Sequence, residues 1–264
     1  MKRSSIVDGC ILAFQFFSTI PIKVSVPWDD KRAKWSVRFY PFVGLIFGLA
    51  TYGIFLAIDH FTLISPLATS IILLLLPIFL TGGLHIDGFL DCSDAFFSYR
   101  DQKRRLEIMK DSRVGAFGVL ALLIFLLTKW LFIFETIQSA HFFSLSLLFV
   151  FIPIFSRTWI GFLFVYGKPA ASSGIAFEMK KYLTKKDSYY FLAVLLVVVC
   201  FFSYWNGFLA LIFVGMLTLY FISTYFFYHR NFGGITGDML GAYIEGQEWF
   251  MWGILWVLHY FVMA

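Results

Sequence analysis

Residues 189–228 read YYFLAVLLVVVCFFSYWNGFLALIFVGMLTLYFISTYFFY, an apolar stretch that contains no Asp, Glu, Lys or Arg. A helix needs ~20 mostly apolar residues to cross a bilayer, so this stretch is long enough for two crossings. The dipeptide Asn206-Gly207 is typical of tight turns, and it divides the stretch into predicted spans 189–205 and 208–228. The stretch therefore predicts an integral membrane protein.

The composition of the whole chain agrees with this prediction. The 264 residues are 60% apolar and only 14% charged, whereas ~25% charged is usual in soluble proteins. These values exclude disorder and argue against a water-soluble domain. Three scattered cysteines make a disulfide framework or a zinc site improbable. We predict an all-α polytopic membrane protein with one domain over residues 1–264, whose first 40 residues form an amphipathic, cytoplasmic segment.

Further apolar segments outside residues 189–228 bring the predicted number of transmembrane helices to about seven. Pro66 and Pro77 lie in the second of these spans and could kink or break it near its end. The complete predicted set is 41–58, 62–80, 114–134, 142–166, 189–205, 208–228 and 248–263.

The positions of the basic residues support seven crossings. Four segments, 1–40, 81–113, 167–188 and 229–247, contain 19 of the 21 Lys and Arg residues, and the alternate loops contain none. Basic loops favour the cytoplasmic side. The pattern therefore predicts a cytoplasmic N-terminus and a C-terminus on the opposite side.

The other two basic residues, Lys129 and Arg157, lie inside predicted spans. Lys129 precedes Trp130 near the outer end of its helix, where the favoured interpretation is a side chain that snorkels to the interface. Arg157 lies ~15 Å from the cytoplasmic end of its helix. An arginine at that depth is expected to face the bundle interior or a cavity and to meet an acid.

The first cytoplasmic loop contains a regular acidic pattern. Asp87, Asp91 and Asp94 have the spacing i, i+4, i+7, which puts them on one face of a helix. Like charges on one stripe destabilise a helix, so the pattern favours a bound cation, for which Mg²⁺ with oxygen ligands is suited. A solvated acidic face is the alternative. Gly82 and Gly83 precede the pattern and permit a close approach of backbone to a ligand.

Other polar residues of this loop are candidates for substrate contacts. His85 is too isolated for a metal cluster, and we interpret it as a residue that contacts the substrate or supports one that does. Asp111 and Arg113 stand directly before a predicted span, where basic residues beside an acidic metal site would suit a polyphosphate. The intervening charges alternate in sign, as on a surface helix with its own ion pairs.

A second glycine-rich loop resembles the first in its order of residues. Gly82-Gly83 precede Asp87, and Gly233-Gly234 precede Asp238, with the spacing Gly-Gly-aliphatic-x-x-Asp in both. Glycine-rich turns expose backbone N–H groups that can hold phosphate oxygens. We expect both segments to form one site, with the carboxylates within roughly 8 Å of each other if a cation or its waters bridge them. A simple turn between two spans is the alternative.

Three stretches together resemble the cobalamin (5′-phosphate) synthase family, also called adenosylcobinamide-GDP ribazoletransferase. They read TGGLHIDGFLDCSDAFFS from residue 81, RRLEIMKDSRVGAFGVLAL from residue 104 and GGITGDMLGA from residue 233. The resemblance extends over essentially the whole chain in the same order. The segment around residues 167–175 departs from the family pattern.

The resemblance implies the last assembly step of the nucleotide loop of cobalamin. In that step α-ribazole, or its 5′-phosphate, displaces GMP from adenosylcobinamide-GDP in the presence of Mg²⁺. On this basis the metal ligands would be Asp87, Asp91 and Asp94, the catalytic residues Asp111, Asp238, Arg113 and Arg157, and the substrate-binding residues Gly82, Gly83, His85, Gly233, Gly234 and Thr236. The resemblance also implies the bacterial cytoplasmic membrane, with the site facing the cytoplasm.

Two other functions are weighed against this one. A CDP-alcohol phosphotransferase also uses clustered Asp residues near the membrane, but its D-x-x-D-G-x-x-A-R pattern is absent from the chain. A carrier would explain intramembrane charge and broken helices, but the acids here lie in loops. The expected partners are the two substrates, the lipid bilayer and a second copy of the chain or other late enzymes of the pathway. No nucleic acid is expected.

Overall fold

The computed structural model of the protein describes residues 3–139 and 146–261, and these residues are predominantly helical. The helices are α1 Ser5–Phe17, α2 Asp30–Arg38, α3 Tyr40–Phe61, α4 Pro66–Thr81, α5 Leu84–Phe97, α6 Gln102–Ile108, α7 Ala116–Gln138, α8 Leu148–Tyr166, α9 Ile175–Lys180, α10 Ser188–Phe232 and α11 Gly237–Phe261. A 3₁₀ turn at Lys185–Asp187 precedes α10. The prediction of an all-α polytopic membrane protein is confirmed.

Helix α8 forms the centre of the bundle. In the apolar part of α8 that is long enough to span a membrane, 89% of the residues are buried inside the protein. The corresponding share is 22% for α7 and 22% for the segment Lys185–Phe232. Helix α3 approaches α8 closely, because a Cβ atom added at Gly48 would lie 2.7 Å from Cα of Val150. The poorly buried helices therefore present most of their apolar surface to lipid, as the composition requires.

Helix α10 is broken at Asn206, whose backbone is not helical. The rings of Phe202 and Phe213 lie 5.5 Å apart, although eleven residues of straight helix would separate them by ~16 Å along the axis. Phe191 and Phe221 likewise both contact Phe162. The chain therefore reverses direction at Asn206, whose side chain accepts a hydrogen bond from the Leu209 N–H and caps the second half. The turn predicted at Asn206-Gly207 is confirmed.

The number of spans is smaller than predicted when helices are judged by length and composition alone. Among the described residues, four helices are long and apolar enough to cross a membrane, or five if the bent pair α4 and α5 counts as one span. This count treats α10 as one helix, and it omits α11, which contains Asp238, Glu245 and Glu248. The first residues of predicted span 142–166 and the last of 248–263 lie outside the described part of the chain.

The second predicted span does break near its end. Helix α4 stops at Thr81, and α5 begins at Leu84 at an angle of 92° to it. Gly82 and Gly83 between them both have positive φ, 63° and 77°, a conformation that favours glycine. The sharp bend turns α5 away from the direction of α4.

The N-terminal segment packs into the bundle. Asp8 of α1 is buried and forms ion pairs with Arg3, which precedes α1, and with Arg32, which lies on α2 and so joins the two helices. Phe17 at the end of α1 contacts Tyr40, with ring centroids 4.3 Å apart. Helix α1 is therefore close to the elements that carry the candidate site.

Candidate active site

The three aspartates of the first loop lie on α5, as predicted. Asp87 is in the first turn and is exposed, whereas Asp91 and Asp94 are half-buried. The opposite face of α5 is buried through His85, Gly88, Cys92 and Ala95. The aspartates therefore occupy the accessible side of a helix whose other side is fixed by packing.

The second glycine-rich segment meets α5 directly. A Cβ atom added at Gly88 would lie 2.9 Å from Cα of Asp238 and closer still to its carbonyl oxygen, so only glycine permits this approach. Gly88 stands between Asp87 and Asp91 in the sequence. The expected convergence of the two segments is confirmed, while the separation of the carboxylates stays a prediction.

The two Gly-Gly pairs share one feature of local structure. Gly82 and Gly233 each follow the end of a helix in the left-handed conformation, and the helix that follows carries Asp87 or Asp238 in its first turn. The N-termini of α5 and α11 therefore meet at the site. Helix N-termini favour anions because their first N–H groups are unpaired and the helix dipole is positive there.

The second loop is held by a neighbouring segment that the sequence did not assign. Ile235 N–H donates to the carbonyl of Lys168, and Ala170 N–H donates to the carbonyl of Ile235. Residues 168–170 thus lie beside Gly233-Gly234. Thr236 caps α11, since its hydroxyl accepts a hydrogen bond of 3.3 Å from the Met239 N–H.

The carboxylates at this site are not neutralised by basic side chains. Asp87, Asp91, Asp94 and Asp238 have no ion pair to a Lys, Arg or His within residues 3–139 and 146–261. Asp91 is close enough to Asp87, Asp94 and Asp238 to be affected by their negative charges. Burial, together with the negative charge of Asp87, raises the pKa of Asp238 above the usual aspartate value. The site therefore carries an excess of negative charge.

Asp94 differs from its neighbours because part of its hydrogen-bonding capacity is already used. Its Oδ1 accepts a 3.2 Å hydrogen bond from the N–H of Gly118 in the first turn of α7. Its carboxylate occupies the space that a Cβ atom would take at Gly115, the residue before α7. Asp94 thus serves as an N-cap for α7 from another helix.

Asp111 and Arg113 pair with each other in the exposed loop before α7. The guanidinium donates to both carboxylate oxygens of Asp111, at 2.6 Å from Nη2 and 3.0 Å from Nε. These hydrogen bonds lower the pKa of Asp111 to about 2. The side chain of Arg113 remains 86% exposed. This pair is therefore available to a substrate but is not in ion contact with the aspartates of α5.

Arg157 lies at the centre of a buried ion cluster. It pairs with Glu248, and Lys129 pairs with Glu245 at 2.8 Å and with Glu248 at 3.3 Å. All four side chains are almost fully buried. The expectation that Arg157 faces the interior and meets an acid is confirmed. The prediction that Lys129 snorkels to the interface is wrong, because α7 turns Lys129 inward towards two carboxylates of α11.

His85 lies between the ion cluster and the acidic site. Its ring is 2% exposed and packs against Phe17 with centroids 5.3 Å apart. It is within electrostatic range of Arg157, Glu248 and Lys129. Neither ring nitrogen has a hydrogen-bond partner in the described part of the protein.

The site suits a metal ion because it carries negative charge and carboxylate oxygens, not because its side chains already surround a metal position. Among the described residues, no group of three or more His, Cys, Asp or Glu side chains is placed to hold a metal ion. The predicted ligand set Asp87, Asp91 and Asp94 stays a prediction, and Asp94 is the member whose carboxylate also contacts α7. Mg²⁺ commonly binds one or two carboxylates and takes its other ligands from water and substrate phosphates.

The sequence assigned no role to two parts of this region, the pair Glu245 and Glu248 and the segment 168–170. Glu245 and Glu248 have the spacing i, i+3 in an otherwise apolar helix. Two acids on one face of a membrane-buried helix are a signal for buried basic partners. Residues 168–170 carry no comparable signal, because their contacts to Ile235 are made by backbone atoms.

The fold and the site define a polytopic membrane protein with a carboxylate-rich, glycine-rich polar site between two helix N-termini. The chain matches the family described as cobalamin-5-phosphate synthase over residues 9–256. No solved structure matches it.

Three relatives illustrate the similarity, and each is named adenosylcobinamide-GDP ribazoletransferase. The protein of Geobacillus sp. (strain WCH70) is 42% identical, over 97% of this chain and 98% of its own length. The protein of Geobacillus thermodenitrificans is 42% identical, over 96% of this chain and 96% of its own length. That of Clostridium perfringens (strain SM101 / Type A) is 34% identical over 90% of this chain and 92% of its own. The chain belongs to the cobalamin-5-phosphate synthase family.

Proposed function

We propose that this protein is an adenosylcobinamide-GDP ribazoletransferase. It transfers the adenosylcobinamide-phosphate moiety of adenosylcobinamide-GDP to α-ribazole, or to its 5′-phosphate, and releases GMP. The observation that carries the proposal is the contact of Asp238 with Gly88, which joins two acidic, glycine-preceded helix N-termini in a member of this family.

The site offers the two kinds of group that a diphosphate substrate needs. The N-termini of α5 and α11 present backbone N–H groups to phosphate oxygens. Asp87 and Asp91 supply carboxylate oxygens that no basic side chain of the described chain neutralises. Phosphoryl transfer depends mainly on positioning and charge neutralisation, and this arrangement provides for both.

Mg²⁺ is the proposed cofactor, held by Asp87 and Asp91 with water and substrate phosphates. When bound, the ion would neutralise charge on the diphosphate and on the departing phosphate. Asp94 belongs to the same face of α5, but its hydrogen bond to Gly118 makes it the weakest candidate of the three.

The transfer itself is a displacement at one phosphorus atom. A ribose hydroxyl of the acceptor attacks the phosphorus that bears the aminopropanol of the corrinoid, the new P–O bond forms, and the bond to GMP breaks. The hydroxyl proton goes to a carboxylate. Asp238 suits this role better than Asp111, because the pKa of Asp238 is raised, whereas Arg113 lowers that of Asp111 to about 2.

The two candidate arginines would act in different ways. Arg113 is exposed and could contact a phosphate after it releases Asp111. Arg157 is 1% exposed and paired with Glu248, so its contribution would be to the electrostatic field of the site rather than a contact with substrate.

We also propose a location in the bacterial cytoplasmic membrane with this site on the cytoplasmic side. The support is the placement of basic residues in alternate loops. Cysteine labelling from outside should reach residues 59–61 and should not reach the loop before α7. The C-terminal residue Ala264, a second expected outside position, lies beyond the described residues. Labelling of Arg113→Cys from outside would reject this orientation.

The function is tested with purified protein in detergent or proteoliposomes. Adenosylcobinamide-GDP, α-ribazole and Mg²⁺ are added, and nucleotide and corrinoid products are separated by chromatography. The proposal predicts GMP in equal amount to a new corrinoid nucleotide. Release of CMP from a CDP-alcohol, or corrinoid uptake into vesicles with no bond broken, would instead support a phospholipid enzyme or a carrier.

A further inference from the structure

An apolar groove of about 730 Å³ runs along α7 and is also lined by α5, α11 and the second half of α10. The lining residues of α7 form one helical face from Phe117 to Thr128. Leu120 and Ile124 within this face are 55% and 56% exposed, so the groove opens to the side. Phe117 and Thr128 are ~16 Å apart along the helix axis, and one leaflet of a bilayer contains ~15 Å of hydrocarbon. The groove therefore has the length of one leaflet.

The walls of the groove suit hydrocarbon better than a polar ligand. The lining consists mainly of aromatic and aliphatic side chains, and three of its polar groups already have partners. The hydroxyls of Ser93 and Thr128 donate to backbone carbonyls of their own helices. The indole N–H of Trp249 donates to the Thr128 hydroxyl at 2.7 Å. A nucleotide or a sugar would find few hydrogen-bond partners here, whereas an acyl chain needs none.

Unpaired cations stand at one end of the groove. The lining residues at this end are Phe97 at the end of α5, Phe117 at the start of α7 and Phe227 near the end of α10. Arg100 follows Phe97 by three residues, and Arg230 lies three residues beyond Phe227. Both arginines are exposed, and neither forms an ion pair in the described part of the chain. Basic side chains at a membrane surface attract the headgroups of anionic lipids.

We propose that this groove binds one anionic phospholipid. One acyl chain lies along Leu120 and Ile124, and the phosphate pairs with Arg100 and Arg230 at the end of the groove. A second copy of the chain fits this surface less well, because it is itself cationic, with a net charge of +5, and would bring its own basic loops to the same side of the membrane. The lipid is therefore selected by its charge as well as by its chain.

The bound lipid lies behind the helix that carries the candidate metal ligands. Phe89, Ser93 and Phe96 of α5 line the groove and repeat the spacing i, i+4, i+7 of the aspartates two residues further along the chain. Two residues of helix correspond to a rotation of ~200° about the axis. The groove is thus on the side of α5 that faces away from Asp87 and Asp91. The inference does not depend on the proposed function, because no step of the transfer involves the lipid.

The first test fills the groove and counts the lipid that the protein retains. Ala121 is a small, half-buried residue of the lining, and Ala121→Trp places an indole where the acyl chain lies. Leu123→Trp is the matched control, since Leu123 is 53% exposed on the same helix but lies outside the lining. Native mass spectrometry in neutral detergent with added phosphatidylglycerol should show one bound lipid on the wild type and on Leu123→Trp. Retention by Ala121→Trp should be roughly tenfold lower, since the loss of two buried CH₂ groups has an effect of that size.

The second test separates the headgroup from the chain. Arg100→Gln and Arg230→Gln should each lower the preference for phosphatidylglycerol over phosphatidylcholine about fivefold, as expected for one basic residue near an anionic lipid. At ~1 M salt, where the Debye length is ~3 Å, the wild type should lose the same preference. Lys186→Gln is the control, because Lys186 is an exposed cation outside the lining, in the 3₁₀ turn before α10.

Three results would overturn the inference. They are equal lipid retention by the wild type and Ala121→Trp, equal retention of both lipids by the wild type at low salt, and a dimer of the chain that Ala121→Trp dissociates. The last result would make the groove an interface between copies. If Ala121→Trp does not fold, the two arginine variants decide, because their side chains are exposed and unchanged selectivity in both also rejects the site. None of these measurements requires GMP release, so failure of the proposed function would be recognised separately.

Discussion

Two charged regions adjoin in this protein, and they differ in whether their charges are paired. The buried cluster holds two cations, Lys129 and Arg157, against two anions, Glu245 and Glu248, each in ion contact with another. The acidic site holds Asp87, Asp91 and Asp238 with no basic partner in residues 3–139 and 146–261.

The difference separates a structural role from a binding role. A buried ion pair satisfies itself, and removal of one partner leaves a costly charge. An unpaired acidic site is incomplete until a cation or a ligand binds. We therefore expect the cluster to determine stability and the site to determine activity, and the following variants test this separation.

Asp238→Asn should have the largest effect and should act on activity alone. Loss of a general base reduces turnover by ~10²–10⁴-fold. Tm in Mg²⁺-free buffer should be unchanged or higher, because one of several like charges is removed. GMP release and thermal unfolding in detergent are measured on the same preparation. A normal rate together with a lowered Tm would make Asp238 a structural residue.

Glu248→Gln should act in the opposite way, on stability. Lys129 would keep its pair with Glu245, but Arg157 would lose the carboxylate with which it pairs, and breaking a buried pair costs ~3–5 kcal/mol. The double variant Glu248→Leu, Arg157→Met leaves the Lys129–Glu245 pair intact, so it should be closer to the wild type in Tm. If the single change has no effect on Tm, the cluster does not stabilise the bundle.

Mg²⁺ should stabilise the wild type through the unpaired site. An ion at 100 times its Kd raises the free energy of unfolding by ~2.7 kcal/mol if it binds only the folded state. Asp91→Asn should lose most of this gain, whereas Glu107→Gln, in an exposed pair on α6, should keep it. Equal Mg²⁺ shifts in Tm for wild type and Asp91→Asn would place the ion elsewhere.

Gly88→Ala tests the contact that joins the two halves of the site. The added methyl would overlap the backbone of Asp238, and overpacking of this kind costs ~1–3 kcal/mol. GMP release should fall as Asp238 is displaced. Gly53→Ala is the control, since nothing lies within 4 Å of its added Cβ. A Gly88→Ala protein with full activity and Tm would show that the close approach is dispensable.

Asp94 should show the smallest effect, and it distinguishes an N-cap from a metal ligand. Asp94→Ala should destabilise the protein by ~1 kcal/mol through loss of the hydrogen bond to Gly118. Asp94→Asn keeps an acceptor oxygen and should keep both Tm and GMP release. A large loss of activity in Asp94→Asn, at limiting Mg²⁺ above all, would restore Asp94 to the metal ligands.

The sequence alone predicted how Asp238 and the aspartates of α5 are placed, whereas for the ion cluster it predicted only that Arg157 meets an acid. The spacing of Asp87, Asp91 and Asp94 predicted one helical face, and the repeated Gly-Gly-x-x-x-Asp order predicted that Asp238 meets it. Both patterns are local. The partner of Lys129 is more than a hundred residues away in the chain, and a single sequence does not contain that pairing.

Lys129 shows why the inward face of a membrane helix is hard to predict. The buried residues of α7 form one stripe, which includes Phe125, Lys129, Ile133 and Thr136. The exposed faces of α7 are also apolar, so hydrophobic periodicity does not single out the buried stripe. The number of membrane spans is hard to predict for a related reason. Helix α11 is too polar to face lipid, but it is covered by other helices of the protein.

The contact between Gly88 and Asp238 also bears on how the protein is made. Asp87 and Asp91 leave the ribosome before Asp238, which lies on α11 and is synthesised later. A chain released before α11 is inserted would carry the acidic helix without the segment that completes the site. It would also leave Lys129 and Arg157 without their ion-pair partners Glu245 and Glu248, which is costly inside a bilayer. Assembly of the ion cluster and assembly of the acidic site thereby both wait for the synthesis of α11.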